Sequence, residues 1–153
     1  MIAVASDHGG FLLKEEIKAF LDEAGYEFKD FGAYSEESTD YALWGYKAAR
    51  AVAGGECEKA ILFCGTGVGI SLAANKVKGI RCAVCSDCYS AKMSRAHNNA
   101  NALALGGRVV GVDLAKLIVQ TWLETEFEGG RHQRRVDQIM VIEEGKTPFK
   151  ELE

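Results

Sequence analysis

Lys59-Ala60-Ile61-Leu62-Phe63-Cys64-Gly65-Thr66-Gly67-Val68-Gly69 decides the fold. An apolar run this short, with no polar alternation, reads as a strand buried on both faces, the kind a parallel sheet uses. The glycine-rich turn then opens a short helix through Asn75. Successive N–H groups in such a strand–turn–helix unit form an anion nest, helped by the positive helix end. As structure alone, the same residues would be a tight turn.

The pattern repeats outward from this unit. Met1–Ser6 is a short apolar strand ending in Asp7-His8-Gly9-Gly10. Leu13, Ile17, Phe20, Leu21 and Ala24 follow at helical spacing, and Gly25 stops that helix. Tyr26–Phe31 reads as a strand flanked by charge, hence at an edge. After the polar loop Gly32–Thr39, Thr39 or Asp40 can cap a helix with the stripe Tyr41, Trp44, Ala48 and Val52. Arg81–Cys85 is a fourth strand, followed by a helix capped by Ser86 or Asp87 and running to about His97. Asn101–Leu105 is a fifth. Leu114, Leu117, Ile118 and Trp122 mark another helix, Glu128-Gly129-Gly130 breaks it, and a last helix spans about 131–142 before a polar tail, 144–153.

Strands alternating with helices imply right-handed crossovers and a parallel sheet. The expected fold is a single α/β domain, 1–153: a doubly wound five-stranded sheet in a three-layer Rossmann-like or flavodoxin-like sandwich. In the order 2-1-3-4-5, the first and third strands are neighbours with diverging connections. Ligands bind in the crevice at their C-terminal ends, where Asp7–Gly10 and Cys64–Gly69 lie.

Composition narrows the function. The 153 residues are 48% hydrophobic and 26% charged, with 18 Lys+Arg against 22 Asp+Glu. The net charge of −4 argues against nucleic acid as a partner. No apolar run reaches the ~20 residues of a membrane helix. The N-terminus does not read as a signal peptide, so a cytoplasmic protein with reduced cysteines is expected. Seventeen glycines against one proline suggest regular elements and backbone drawn close to itself or to a ligand.

Several residues carry chemistry. Cys64 ends a buried strand beside a helix N-terminus, where a thiol can act as nucleophile or general base. It could equally be a small buried apolar group. Cys82, Cys85 and Cys88 have iron–sulfur spacing but lie across an alternating strand without a fourth ligand, and read as core thiols. The glycines are not a dinucleotide fingerprint, since position 70 is Ile70, nor a Walker loop, since no Gly-Lys-Ser/Thr follows. Arg131 and Arg135 share a helix face near an N-terminus, where the dipole disfavours cations and a bound anion would offset it. His97 and Asn98 read either as a polar cap or as a site with a general acid.

Taken in order, Ser6-Asp7-His8-Gly9-Gly10, Thr39-Asp40-Tyr41, Cys64-Gly65-Thr66-Gly67-Val68-Gly69-Ile70, Ser94-Arg95-Ala96-His97-Asn98, Gly106-Gly107-Arg108-Val109-Val110-Gly111 and Glu128-Gly129-Gly130-Arg131-His132 resemble the type B ribose-5-phosphate isomerases. Allose- and galactose-6-phosphate isomerases belong to the same wider group. The resemblance covers about residues 1–143. It implies an aldose–ketose isomerase of the pentose phosphate pathway that needs no metal or other cofactor. It also implies a homodimer or dimer of dimers with shared active sites, the last helix packing at the dimer interface.

By that resemblance Cys64 is the base, His97 the ring-opening acid and Thr66 an assistant. Gly65, Gly67, Val68 and Gly69 stabilise the enediolate oxygens. His8, Arg108, Arg131 and Arg135 hold phosphate, and Asp7, Tyr41 and Asn98 position hydroxyls. The family's alternative glutamate base would fall near Gly69–Ser71, where no acid occurs. A six-carbon phosphate such as allose 6-phosphate is the rival substrate. A non-catalytic sugar-phosphate sensor and a cysteine hydrolase are rival functions. Strand length puts Cys64 and His97 more than about ten ångströms apart in one chain, so a shared site requires His97 from a neighbour.

Overall fold

The computed structural model describes residues 1–153. Its order is β1 (Ile2–Ser6), α1 (Phe11–Ala24), β2 (Phe28–Asp30), α2 (Tyr41–Ala53), β3 (Lys59–Cys64), α3 (Val68–Asn75), β4 (Cys82–Val84), α4 (Cys88–Ala96), β5 (Ala102–Gly106), α5 (Val112–Glu124) and α6 (Arg131–Glu143). A 3-10 turn, His8–Gly10, joins β1 to α1, and a second, Lys150–Leu152, lies in the tail. Asp87 is the cap of α4, its carboxylate accepting the Ser90 N–H at 2.7 Å. Asp40 occupies the cap position of α2 without a side-chain bond, while Thr39 Oγ1 accepts from Trp44 Nε1.

All four strand pairings are parallel. Alternation of side chains divides the core between two faces. Val4, Ile61, Phe63, Leu103 and Leu105 join Ile17, Ile118 and Trp122 on one face. Ala3, Ala60, Leu62, Cys64, Ala102 and Ala104 join Ala48, Ala49 and Ile70 on the other. So α1, α4 and α5 cover the first face, α2 and α3 the second. The three-layer, doubly wound expectation holds.

The strand order does not match the expectation. It is β2-β1-β3-β5-β4, not 2-1-3-4-5. The fourth strand is shorter than expected, two half-covered residues followed by exposed Val84. β5 is buried throughout and takes the interior place beside β3. The chain crosses over β5's position through α3, then doubles back through α4 on the opposite face.

This order places β3 between two strands whose outgoing helices, α1 and α5, lie on the face opposite α3. The crevice above Cys64 is therefore bounded by the loops after β1, β3 and β5. α6 lies outside both layers. Only His132 and Val136 of it are buried, and Glu143 ties its far end to the Gly79 N–H at 3.0 Å.

Candidate active site

Cys64 is 4% exposed, and its Sγ accepts the Gly67 N–H at 3.0 Å. The turn depends on glycine at 67, where φ is 82° and a Cβ would sit 3.0 Å from the Leu105 carbonyl carbon. Gly67 is also the N-cap of α3, whose first N–H groups have no partners within the helix. A dipolar, donor-rich floor therefore surrounds the sulfur. Thr66 Oγ1 accepts from Val68 N–H at 3.2 Å and stays exposed. At β4, burial pushes the Cys82 thiol up to about 12 and that of the following Cys85 up to about 11, which keeps both protonated.

The β1 loop flanks this floor. Asp7 is buried and its Oδ1 accepts the Gly10 N–H at 3.1 Å. His8 Nδ1 accepts the Thr39 N–H at 3.2 Å. That bond fixes the neutral ring's proton on Nε2, leaving that atom as a donor. Tyr41 packs so closely on Gly69 that a Cβ there would lie 2.8 Å from its ring.

The β5 loop supplies the third side. Gly107 N–H donates to Cys64 O at 2.8 Å and Arg108 N–H to Gly65 O at 3.0 Å. The Arg108 guanidinium lies against Gly65, Nη1 being 3.2 Å from where a Cβ would stand, and it makes no ion pair. This neighbourhood exists only because β5, not β4, adjoins β3.

Asp7, His8, Tyr41, Cys64, Gly65, Thr66, Gly67, Val68, Gly69 and Arg108 are thus brought together. His97, Asn98, Arg131 and Arg135 are not among them. His97 is the C-cap of α4 and precedes β5, at the sheet's opposite edge. Cys64 is in register with Gly106 at the far end of that five-residue strand. Four steps at about 3.3 Å separate the two edges by about 13 Å.

At the second location His97 stacks on His132, with ring centroids 4.1 Å apart and planes 10° from parallel. Glu128 Oε1 lies 3.8 Å from His97 Nε2 and 3.5 Å from His132 Nε2. Arg131 and Arg135 are exposed on α6 and make no ion pair. Sequence reasoning gave Glu128 and the His132 side chain no role. No spacing rule could have found them, because Glu128 lies in the loop before α6 and meets His132 only through the Gly129-Gly130 turn.

The sequence model of the Ribose/Galactose Isomerase family matches residues 2–139. Ribose-5-phosphate isomerase B of Escherichia coli is 57% identical over 95% of this chain and 98% of its own length. The structure of ribose-5-phosphate isomerase B from Clostridium thermocellum superposes with a TM-score of 0.93 at 59% identity, covering 94% of this chain and 97% of that one. A ribose 5-phosphate isomerase of Thermotoga maritima superposes with a TM-score of 0.88 at 49% identity, covering 90% and 95%. Fold, motifs and near-complete coverage agree: this chain belongs to the ribose/galactose isomerase family, as an aldose–ketose isomerase of the type B ribose-5-phosphate isomerases.

Proposed function

We propose that the chain interconverts D-ribose 5-phosphate and D-ribulose 5-phosphate through an enediolate, without metal or other cofactor. In this reading it works in the cytoplasm as a homodimer or dimer of dimers with shared active sites. The observation that carries the reading is the Cys64 sulfur, held 3.0 Å from a backbone N–H in a crevice that also holds His8 and Arg108.

As thiolate, Cys64 is a soft base held in place by the Gly67 N–H, which donates to its sulfur at 3.0 Å. It takes the proton from carbon 2 of the open-chain aldose and returns it to carbon 1. The negative oxygens formed in between face the N–H groups of Gly65 to Gly69, which act as an oxyanion hole. Ring opening needs an acid first. His97 of a second copy supplies it, with Thr66 assisting. Arg131 and Arg135 of that copy hold the phosphate, joined by His8 and Arg108. Asp7 and Tyr41, with Asn98 of the second copy, orient hydroxyls.

The arrangement of α6 supports a second copy at this edge. Ile139 and Ile142 are exposed there beside a groove of about 470 Å³ that Ile80, Cys82 and Ala100 also line. No helix is long and apolar enough to cross a membrane.

The test is a panel of ribose 5-phosphate, allose 6-phosphate and galactose 6-phosphate with wild type and Cys64→Ala in parallel. A positioned base contributes ~10²–10⁴-fold, so Cys64→Ala should lose at least about a hundredfold in kcat with KM little changed. Near wild-type turnover in that variant overturns the assignment of the base. No turnover of any sugar phosphate by wild type leaves a sensor, and preference for a six-carbon sugar revises the substrate.

A further inference from the structure

The junction between α4 and α6 is built with more care than a phosphate clamp requires. The Glu128 N–H donates to Ala96 O at 3.0 Å and the His132 N–H to Gly129 O at 3.0 Å. Between them Gly129 and Gly130 have φ of 68° and 56°, a turn that side chains resist. The turn ties the start of α6 to the end of α4 and slides the His132 ring under His97. The His132 side chain is 8% exposed and that of His97 39%.

Charge assigns different parts to the two rings. Desolvation, then the neighbouring His97 and the Arg131 and Arg135 guanidiniums, push His132 below the ordinary histidine range, with Glu128 opposing. A neutral His132 can lie flat against a His97 that carries a proton, whereas two cationic rings at 4.1 Å would repel. Glu128 stands at the Nε2 edge of both rings. Its distances are too long for strong hydrogen bonds but short enough to attract a protonated ring. A shared metal ion fits this arrangement badly, because nearly parallel rings send their in-plane lone pairs side by side and not to one point.

We propose that His132 and Glu128 are positioning residues for His97, fixing the plane of its ring so that it meets the sugar ring oxygen of the substrate. This rests on the reading of His97 as the ring-opening acid. It adds a flat neutral support and a charge at the edge, neither of which touches the sugar.

Ring opening can be separated from proton transfer at carbon. Ribose 5-phosphate is a cyclic aldose and must open. Ribulose 5-phosphate cannot close a furanose, since its terminal oxygen carries phosphate, so exchange of its carbon-bound hydrogen with solvent deuterium bypasses the acid. His132→Ala should lower conversion of ribose 5-phosphate about tenfold, part of the ~10²–10⁴-fold an acid supplies, while exchange into ribulose 5-phosphate stays within about twofold. His132→Phe restores a flat ring and should recover most of the loss. Glu128→Gln, at an exposed position, should lower aldose conversion alone if His132→Ala does not fold.

Equal losses in conversion and exchange, or no loss in either, would overturn the proposal. His97→Asn is the control. If it behaves as an acid knock-out while His132→Ala and Glu128→Gln do nothing, only this inference falls. If His97→Asn itself leaves aldose conversion intact, the parent reading falls and takes the inference with it.

Discussion

The separation of Cys64 from His97 has a consequence that mixing inactive variants would expose. Proton transfer needs heavy atoms within about 3 Å, directly or through one water. One strand length of about 13 Å is more than one sugar, contacted at two of its neighbouring atoms, bridges within a single copy. In a two-fold dimer, each site would pair Cys64 of one copy with His97 of the other. Cys64→Ala and His97→Asn homodimers each have two broken sites. A hybrid gathers both lesions into one site and leaves the second site intact. Random reassociation of equal amounts makes about half of the dimers hybrids, so about a quarter of wild-type activity should return. The assay is ribulose 5-phosphate formation after dilution, mild dissociation and remixing, with the hybrid fraction counted by native mass spectrometry. Persistent inactivity with hybrids confirmed would refute the shared site, and activity would then have to come from within one copy.

Three further outcomes follow from the contacts described. Arg131→Ala should raise KM for ribose 5-phosphate and weaken inhibition by inorganic phosphate, with kcat less affected; unchanged values for both would misplace the clamp. A Cβ at Gly69 meets only the Tyr41 ring, which is 46% exposed and can swing away, whereas one at Gly10 lies 2.4 Å from the Phe63 carbonyl carbon inside the sheet. Gly69→Ala should therefore keep its melting temperature and lose kcat/KM, while Gly10→Ala loses about 3 kcal/mol of stability by overpacking; urea titration of both checks the contrast. Asp30 accepts from buried Lys14 at 2.8 Å, and Lys14 also donates to Ala33 O. Burial alone would raise the Asp30 titration, but bonds from Lys14, Lys18 and the Gly32 N–H outweigh it and hold it below 3.8. The pair's contribution is therefore complete above pH 3.8 and is lost as pH falls through the lower native value. Asp30→Asn should cost about 3 kcal/mol near neutrality by stranding Lys14, and the gap to wild type should close in acid unfolding below pH 3.8.

Much of this protein is written locally. The run Lys59–Cys64 had to be a strand because its apolar residues tolerate no wet face, and the glycines after it had to turn because Gly67 adopts a left-handed backbone. Short apolar runs between turn residues announced five strands, and a period of three to four residues the main helices. The ordered motifs carried the family resemblance, and from it comes the proposal of Cys64 as base. Boundaries moved by only a residue or two, as in β4.

Strand order was not legible, because periodicity records which face is buried and not which neighbour buries it. The fully buried Ala102–Gly106 displaced the short Cys82–Val84 from the interior only through packing across the whole sheet. That exchange, decided by tertiary structure, sets Arg108 beside Gly65. The His97–His132 stack is likewise decided there, since it joins residues on different helices through a double-glycine turn whose direction no spacing rule specifies. Sequence alone determined the alternating elements and the chemical groups; tertiary structure decided which groups share a crevice, because that depends on contacts between segments far apart along the chain.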